Sequence, residues 1–156
     1  VAGHRRASRA TGLDRRVTRP DLHMFEGLWQ VDRVIHDHRA GSTGRFAGSA
    51  TFSPIGAGLA YLETGQLWLD GHPPFKAERR YLWRIEDDVI HVDFDDGRAF
   101  HHIPPDQPSD RHWCDPDTYD VTYSFASWPV WHSTWDVSGP RKAYRMVTTY
   151  RREPPK

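Results

Sequence analysis

The sequence predicts an all-β fold, an antiparallel up-and-down β-barrel of about eight to ten strands with a short N-terminal helix. Three observations predict it. Hydrophobic alternation with a period of two runs from Gly27 to Arg152. The strand-like runs are separated by short Gly-, Asp- and Pro-rich turns, with no helical period between them. Aromatic residues make up 13% of the chain, against a total hydrophobic fraction of 37%. Rings rather than aliphatic chains must therefore fill the interior, and rings bring polar handles with them. A meander of this length normally closes on itself to remove its edges.

Residues 1–20 are Arg-rich (Arg5, Arg6, Arg9, Arg15, Arg16) and nearly devoid of apolar side chains. They are expected to form a disordered tail, with the barrel domain over 21–153. Thr18 and Pro20 read as the cap and first turn of a helix over residues 21–26, cut short by Gly27. Strands are expected over 27–36, 44–53, 59–69, 75–86, 89–94, 98–103, 119–126, 131–137 and 142–152. A two-residue turn at Asp96-Gly97 pairs Asp95 with Arg98 and Phe94 with Ala99. In that register Ile90, Val92, Phe94, Ala99, His101 and Ile103 face inward, while His91, Asp93, Phe100 and His102 face outward.

Alternation carries charge inside along with the rings. Trp29 and Val31 bring Arg33, Tyr61 brings Glu63, and Tyr81 with Trp83 brings Arg79. Tyr119, Tyr123 and Trp131 add walls. Buried charges are costly unless paired. Two readings follow: an Arg–Glu network that satisfies itself, and a polar anchor for a small-molecule ligand gripped by aromatic walls. The candidate binding residues are Arg33, Glu63, Arg79, Tyr81, Trp83, His101, His112, Tyr119, Tyr123 and Trp131. A barrel enzyme is the alternative, with His101 or His112 as general acid or base and Arg79 opposite developing negative charge, for an isomerisation or cyclisation. A barrel with a filled, purely structural interior is also open.

His101, His102, His112, Cys114 and Asp115 gather around the loop 104–110. Their spacing matches no zinc motif, and the register sends His101 and His102 to opposite faces. Haem or metal binding stands as a further alternative, but no metal or cofactor is assigned. Cys114 reads as a small buried apolar residue. Gly139-Pro140-Arg141-Lys142 reads as a turn with solvated charge, or as an electropositive rim that attracts anions.

The bulk numbers narrow the partners. Basic and acidic residues balance at 21 each, so nothing global draws the chain to nucleic acid or an anionic membrane. No apolar run approaches the ~18 residues of a membrane span. One cysteine excludes an internal disulfide. The N-terminal stretch lacks the apolar core of a secretory signal, and a cytoplasmic monomer or homodimer is expected.

Phe25-Glu26-Gly27-Leu28-Trp29, after a short helix, resembles the Gly-x-Trp signature of lipocalins and their calycin relatives. That likeness implies a Trp closing one barrel end under an Arg from the last strand, here Arg151 or Arg152. The same signature is similar to that of the haem-binding nitrobindin barrels, whose proximal His no residue here matches by motif. A fuller likeness, over residues 25–152, is to a bacterial lipocalin-like family of unknown function. It rests on Gly27-Leu28-Trp29 with Arg33, Tyr61-x-Glu63-x-Gly65, Tyr81-x-Trp83 and Asp96-Gly97-Arg98-x-Phe100-His101. It continues through His112-x-Cys114-x-Pro116-Asp117-x-Tyr119 and Gly139-Pro140-Arg141-Lys142. It implies the barrel and no particular activity.

Overall fold

The computed structural model describes residues 18–152; residues 1–17 of the expected tail lie outside them. One turn of 3-10 helix, Leu22–Phe25, precedes ten strands. These are β1 (Gly27–Asp37), β2 (Ser42–Ile55), β3 (Gly58–Leu69), β4 (Phe75–Glu86) and β5 (Val89–Phe94). They continue with β6 (Ala99–Ile103), β7 (Ser109–Cys114), β8 (Asp117–Ser127), β9 (Val130–Ser138) and β10 (Ala143–Arg152). The sheet order is β6-β5-β4-β3-β2-β1-β10-β9-β8-β7, all antiparallel. The sheet curls until β6 and β7 lie against each other. They share no ladder. Across this seam the His102 backbone N–H donates to Asp110 Oδ2 at 2.8 Å. The barrel is therefore nearly closed rather than sealed.

Strand alternation sorts the side chains as the pleat requires. Trp29, Val31 and Arg33 of β1 are buried, as are Phe46, Ala50 and Phe52 of β2 and Tyr61 and Glu63 of β3. Gly48 of β2 lies opposite Gly65 of β3. A Cβ on Gly48 would run into the Thr64 carbonyl oxygen, so the close approach of these long strands depends on that glycine.

The helix closes one end. Phe25 packs 5.2 Å from Trp83 and 5.3 Å from Trp131, centroid to centroid. Trp29 Nε1–H donates to the Phe25 carbonyl at 2.8 Å. Arg152, not Arg151, covers the Trp29 ring at 3.8 Å and donates to the carbonyls of Met24 and Glu26 at 2.6 and 2.8 Å. Alternation from the buried Tyr150 makes that choice. Arg19, inside the stretch expected to be a tail, is buried and donates to the carbonyls of Ile103 and Asp88 at 2.7 and 3.0 Å. It fastens the chain across the end of β6.

Four local expectations are corrected. The helix cap position is Asp21 rather than Thr18, and it makes no side-chain cap bond. Residues 109–114, read as part of a loop and its surroundings, form β7. The turn after β5 is wider than two residues: Phe94 N–H donates to the Arg98 carbonyl at 2.8 Å, and Asp93, not Phe94, pairs with Ala99. A β-bulge after Val92 absorbs the extra residue, while Val92–His101 and Ile90–Ile103 keep the expected register. The bulge turns Phe100 inward beside His101, so both are buried, whereas Ala99 is exposed.

Candidate functional site

The site begins with a buried ion pair. Alternation on β1 points Arg33 in; alternation on β3 points Glu63 at it. Arg33 grips Glu63 through two hydrogen bonds of 2.8 and 2.7 Å, and its Nε–H donates to Thr148 Oγ1 at 2.8 Å. Tyr61 OH adds a 2.6 Å bond to Glu63 Oε1 and lies 3.1 Å from Tyr150 OH. Burial works to raise the Glu63 carboxyl, but the hydrogen bonds and charge of Arg33, helped by Tyr61 and Arg79, outweigh it and hold the group below its ordinary value. Burial likewise works to lower Arg33, and Glu63 reverses it, so the guanidinium is held above its ordinary value. The pair is ionised and internally satisfied.

Arg79 is the third charge of this group. Its Nε stands 4.0 Å from Glu63 Oε2, its guanidinium lies 5.4 Å from the Trp135 ring centroid, and its Nη2 donates to Met146 Sδ at 3.9 Å. The side chain is 35% exposed, so it reaches toward the open end while Arg33 does not.

His101 lies deeper. Its Nε2 is 2.7 Å from Tyr123 OH, and its Nδ1 has no partner among the described residues. Burial, with the nearby His102 and His112, lowers it to about 3. A neutral, inaccessible imidazole of that kind is poorly matched to general base work near neutral pH. His112, on β7, is only half-buried beside Phe100, 5.3 Å away. Burial lowers it as well.

Arg33, Glu63, Arg79, Tyr81, Trp83, His101 and Tyr123 surround one internal cavity of about 20 Å³. That is room for about one water. Tyr119, Trp131 and His112 do not line it. Trp131 belongs to the closed end, stacked on Tyr150 at 3.7 Å, and Tyr119 packs 5.7 Å from Phe100. A cavity of about 450 Å³ opens at the far end, with Arg79 in its wall and Ile35, Leu69, Met146, Tyr144, Asp37 and Asp70 around it; spaces of about 460 and 640 Å³ lie at the helix end and on the outer sheet, away from the buried charges. Reading the inward faces one step further from Tyr150, through Thr148, would have found Met146 and Tyr144.

Cys114 is exposed, contrary to expectation, because it ends β7 at the rim. Lys142 is not simply solvated: its Nζ pairs with Asp117 Oδ2 at 3.1 Å. His101 and His102 do face opposite sides. Among the described residues, no group of three or more His, Cys, Asp or Glu is placed to hold a metal ion. No helix among them is long and apolar enough to cross a membrane.

The profile of a family of unknown function, DUF6314, matches residues 25–152. No curated protein matches the sequence. Among solved structures, the S-type phycobiliprotein lyase CPES from Guillardia theta superposes with a TM-score of 0.61 at 11% identity, over 95% of this chain and 99% of that one. At that identity the likeness is one of fold.

Proposed function

We propose, for a chain that belongs to the DUF6314 family, that the barrel takes a small organic acid with an apolar body at its open end, the carboxylate resting on Arg79. The charge count inside carries this reading. Two guanidinium groups meet one carboxylate, and both Glu63 oxygens are already taken by Arg33. Arg79 is left half-buried beside the Tyr81 hydroxyl, with no carboxylate within hydrogen-bond distance among the described residues, and a guanidinium has five N–H donors to offer. An anion arriving from the mouth supplies the missing acceptor. The mouth cavity of about 450 Å³ is of ligand size, whereas the inner one of about 20 Å³ is not. Ile35, Leu69 and Met146 would hold the apolar body. Arg33, Glu63 and Tyr61 then act behind Arg79, fixing its surroundings, rather than on the ligand.

Calorimetric titration with decanoate tests this on the whole chain. Arg79→Met, with a wild-type near-ultraviolet spectrum, should bind about tenfold more weakly or worse. Equal affinity in the two proteins overturns the assignment of Arg79.

The second reading is a barrel enzyme, favoured by the fold shared with a protein named as a lyase. His112 is its better acid–base candidate, since His101 is buried and neutral. Loss of turnover in His112→Gln with ligand binding retained supports it; unchanged turnover removes His112.

A further inference from the structure

The Gly139-Pro140-Arg141-Lys142 turn borders the mouth, and three of its residues have structural work there. A Cβ on Gly139 would collide with the Asp117 carboxylate. The Pro140 carbonyl accepts from Arg39 Nη1, which ties the β9–β10 turn to the β1–β2 turn. Lys142 pairs with Asp117 at 3.1 Å, which ties it to the β7–β8 turn. The exposed Arg141 guanidinium makes no hydrogen bond or ion pair among the described residues. It lines a second cavity of about 440 Å³. That cavity shares Asp37, Ala40 and Tyr144 with the mouth cavity, so the two adjoin along these residues. The Asp37 carboxylate between them is turned to the backbone, its Oδ1 accepting the N–H groups of Arg39 and Ala40 at 3.0 Å each, and it keeps its negative charge.

We infer that the ligand carries two acidic groups, the inner one on Arg79 and the outer one on Arg141, with the apolar body lying between them along Tyr144. The inference rests on the reading of the mouth as the binding site. It narrows the ligand class from an organic acid to an amphipathic diacid. A rim fixed by two ties, with Gly139 packed against Asp117, holds the Arg141 backbone at a set position, which is what recognition of a second charge at a set distance requires.

The test titrates the whole chain with straight-chain monocarboxylates and α,ω-dicarboxylates of matched length. At one best length the dicarboxylate should bind about fivefold tighter than its monocarboxylate, the effect of about one exposed ion pair. Arg141→Ala should erase that difference and leave monocarboxylate affinity unchanged. Dicarboxylates no tighter at any length, or an Arg141→Ala loss equal in both series, overturns the diacid proposal while leaving the Arg79 site standing. Monocarboxylate affinity unaffected by Arg79→Met overturns the site itself, and the proposal with it.

Discussion

Glu63 is the residue on which the interior most depends. It is 1% exposed and ionised, and its oxygens take bonds from Arg33 and Tyr61. Glu63→Gln leaves Arg33 buried without its counter-charge, which should cost about 3–5 kcal/mol in urea unfolding near neutral pH. The paired change Arg33→Met with Glu63→Leu should recover most of that loss. If the double variant is as unstable as Glu63→Gln, the uncompensated charge is not the cause. Because the Glu63 carboxyl is depressed in the folded state, its stabilisation is complete above the ordinary value of 4.5 and is lost as pH falls through the lower folded value. His101 acts in a higher window. Its folded value of about 3 lies below the ordinary 6.5, so the unfolded chain takes up a proton first on acidification. Wild type should lose stability relative to His101→Gln as pH falls from 6.5 toward 3, at about 1.4 kcal/mol per pH unit. Urea midpoints of the two proteins across that range check this, and parallel curves would show that His101 is not held neutral. Both residues were legible in the sequence: alternation places Arg33 and Glu63 indoors, and the apolar face of β5 takes His101 in with it, through a Val92–His101 pairing that survives the wider turn. That Arg33 claims both Glu63 oxygens and leaves Arg79 over was not, since it depends on strand register between β1, β2, β3 and β4.

At the scale of elements, two-residue periodicity located nine strands and failed where the pleat is interrupted. Asp96-Gly97 resembles a tight hairpin turn, yet the wider turn and the bulge after Val92 bring Phe100 into the core, stacked on Phe94 at 4.7 Å. No residue pattern distinguishes a bulge from a shorter turn in that stretch. β7 escaped notice because Arg111 and Trp113 face out and only His112 faces in as a ring, which gives no apolar alternation to read. The glycines divide by mechanism. Gly48→Ala should be strongly destabilising, because its Cβ meets backbone that cannot move without parting β2 from β3. Gly56→Ala, at φ +56° in open space, should cost only about 1 kcal/mol. Thermal melts of the two variants compare them; equal losses would mean that the close approach at Gly48 is not limiting. The β6–β7 seam has a cost as well. Strand amides facing an unpaired edge are the less protected, so β6 and β7 should exchange hydrogen faster than β1 and β10, which are paired on both sides.

Across the whole molecule the two ends of the barrel divide the work. The helix end is packed with Phe25, Trp29, Trp83, Phe125 and Trp131 and is capped by Arg152 and Arg19. The far end carries five turns, the mouth cavity and the partly exposed Arg79. A sequence balanced at 21 positive and 21 negative charges conceals this, because composition has no direction. Polarity along the barrel emerges only once strands are threaded in space. In the proposed function, ligand enters at the far end and stops at Arg79, above the filled interior. Backbone amide shifts recorded during titration with decanoate locate the bound molecule residue by residue. The largest changes should fall on Leu69, His72, Arg79, Tyr144 and Met146, while Leu22, Ile85 and Asp88 at the helix end stay still. Changes concentrated at the helix end, or spread over the outer sheet with Arg79 unmoved, would contradict it.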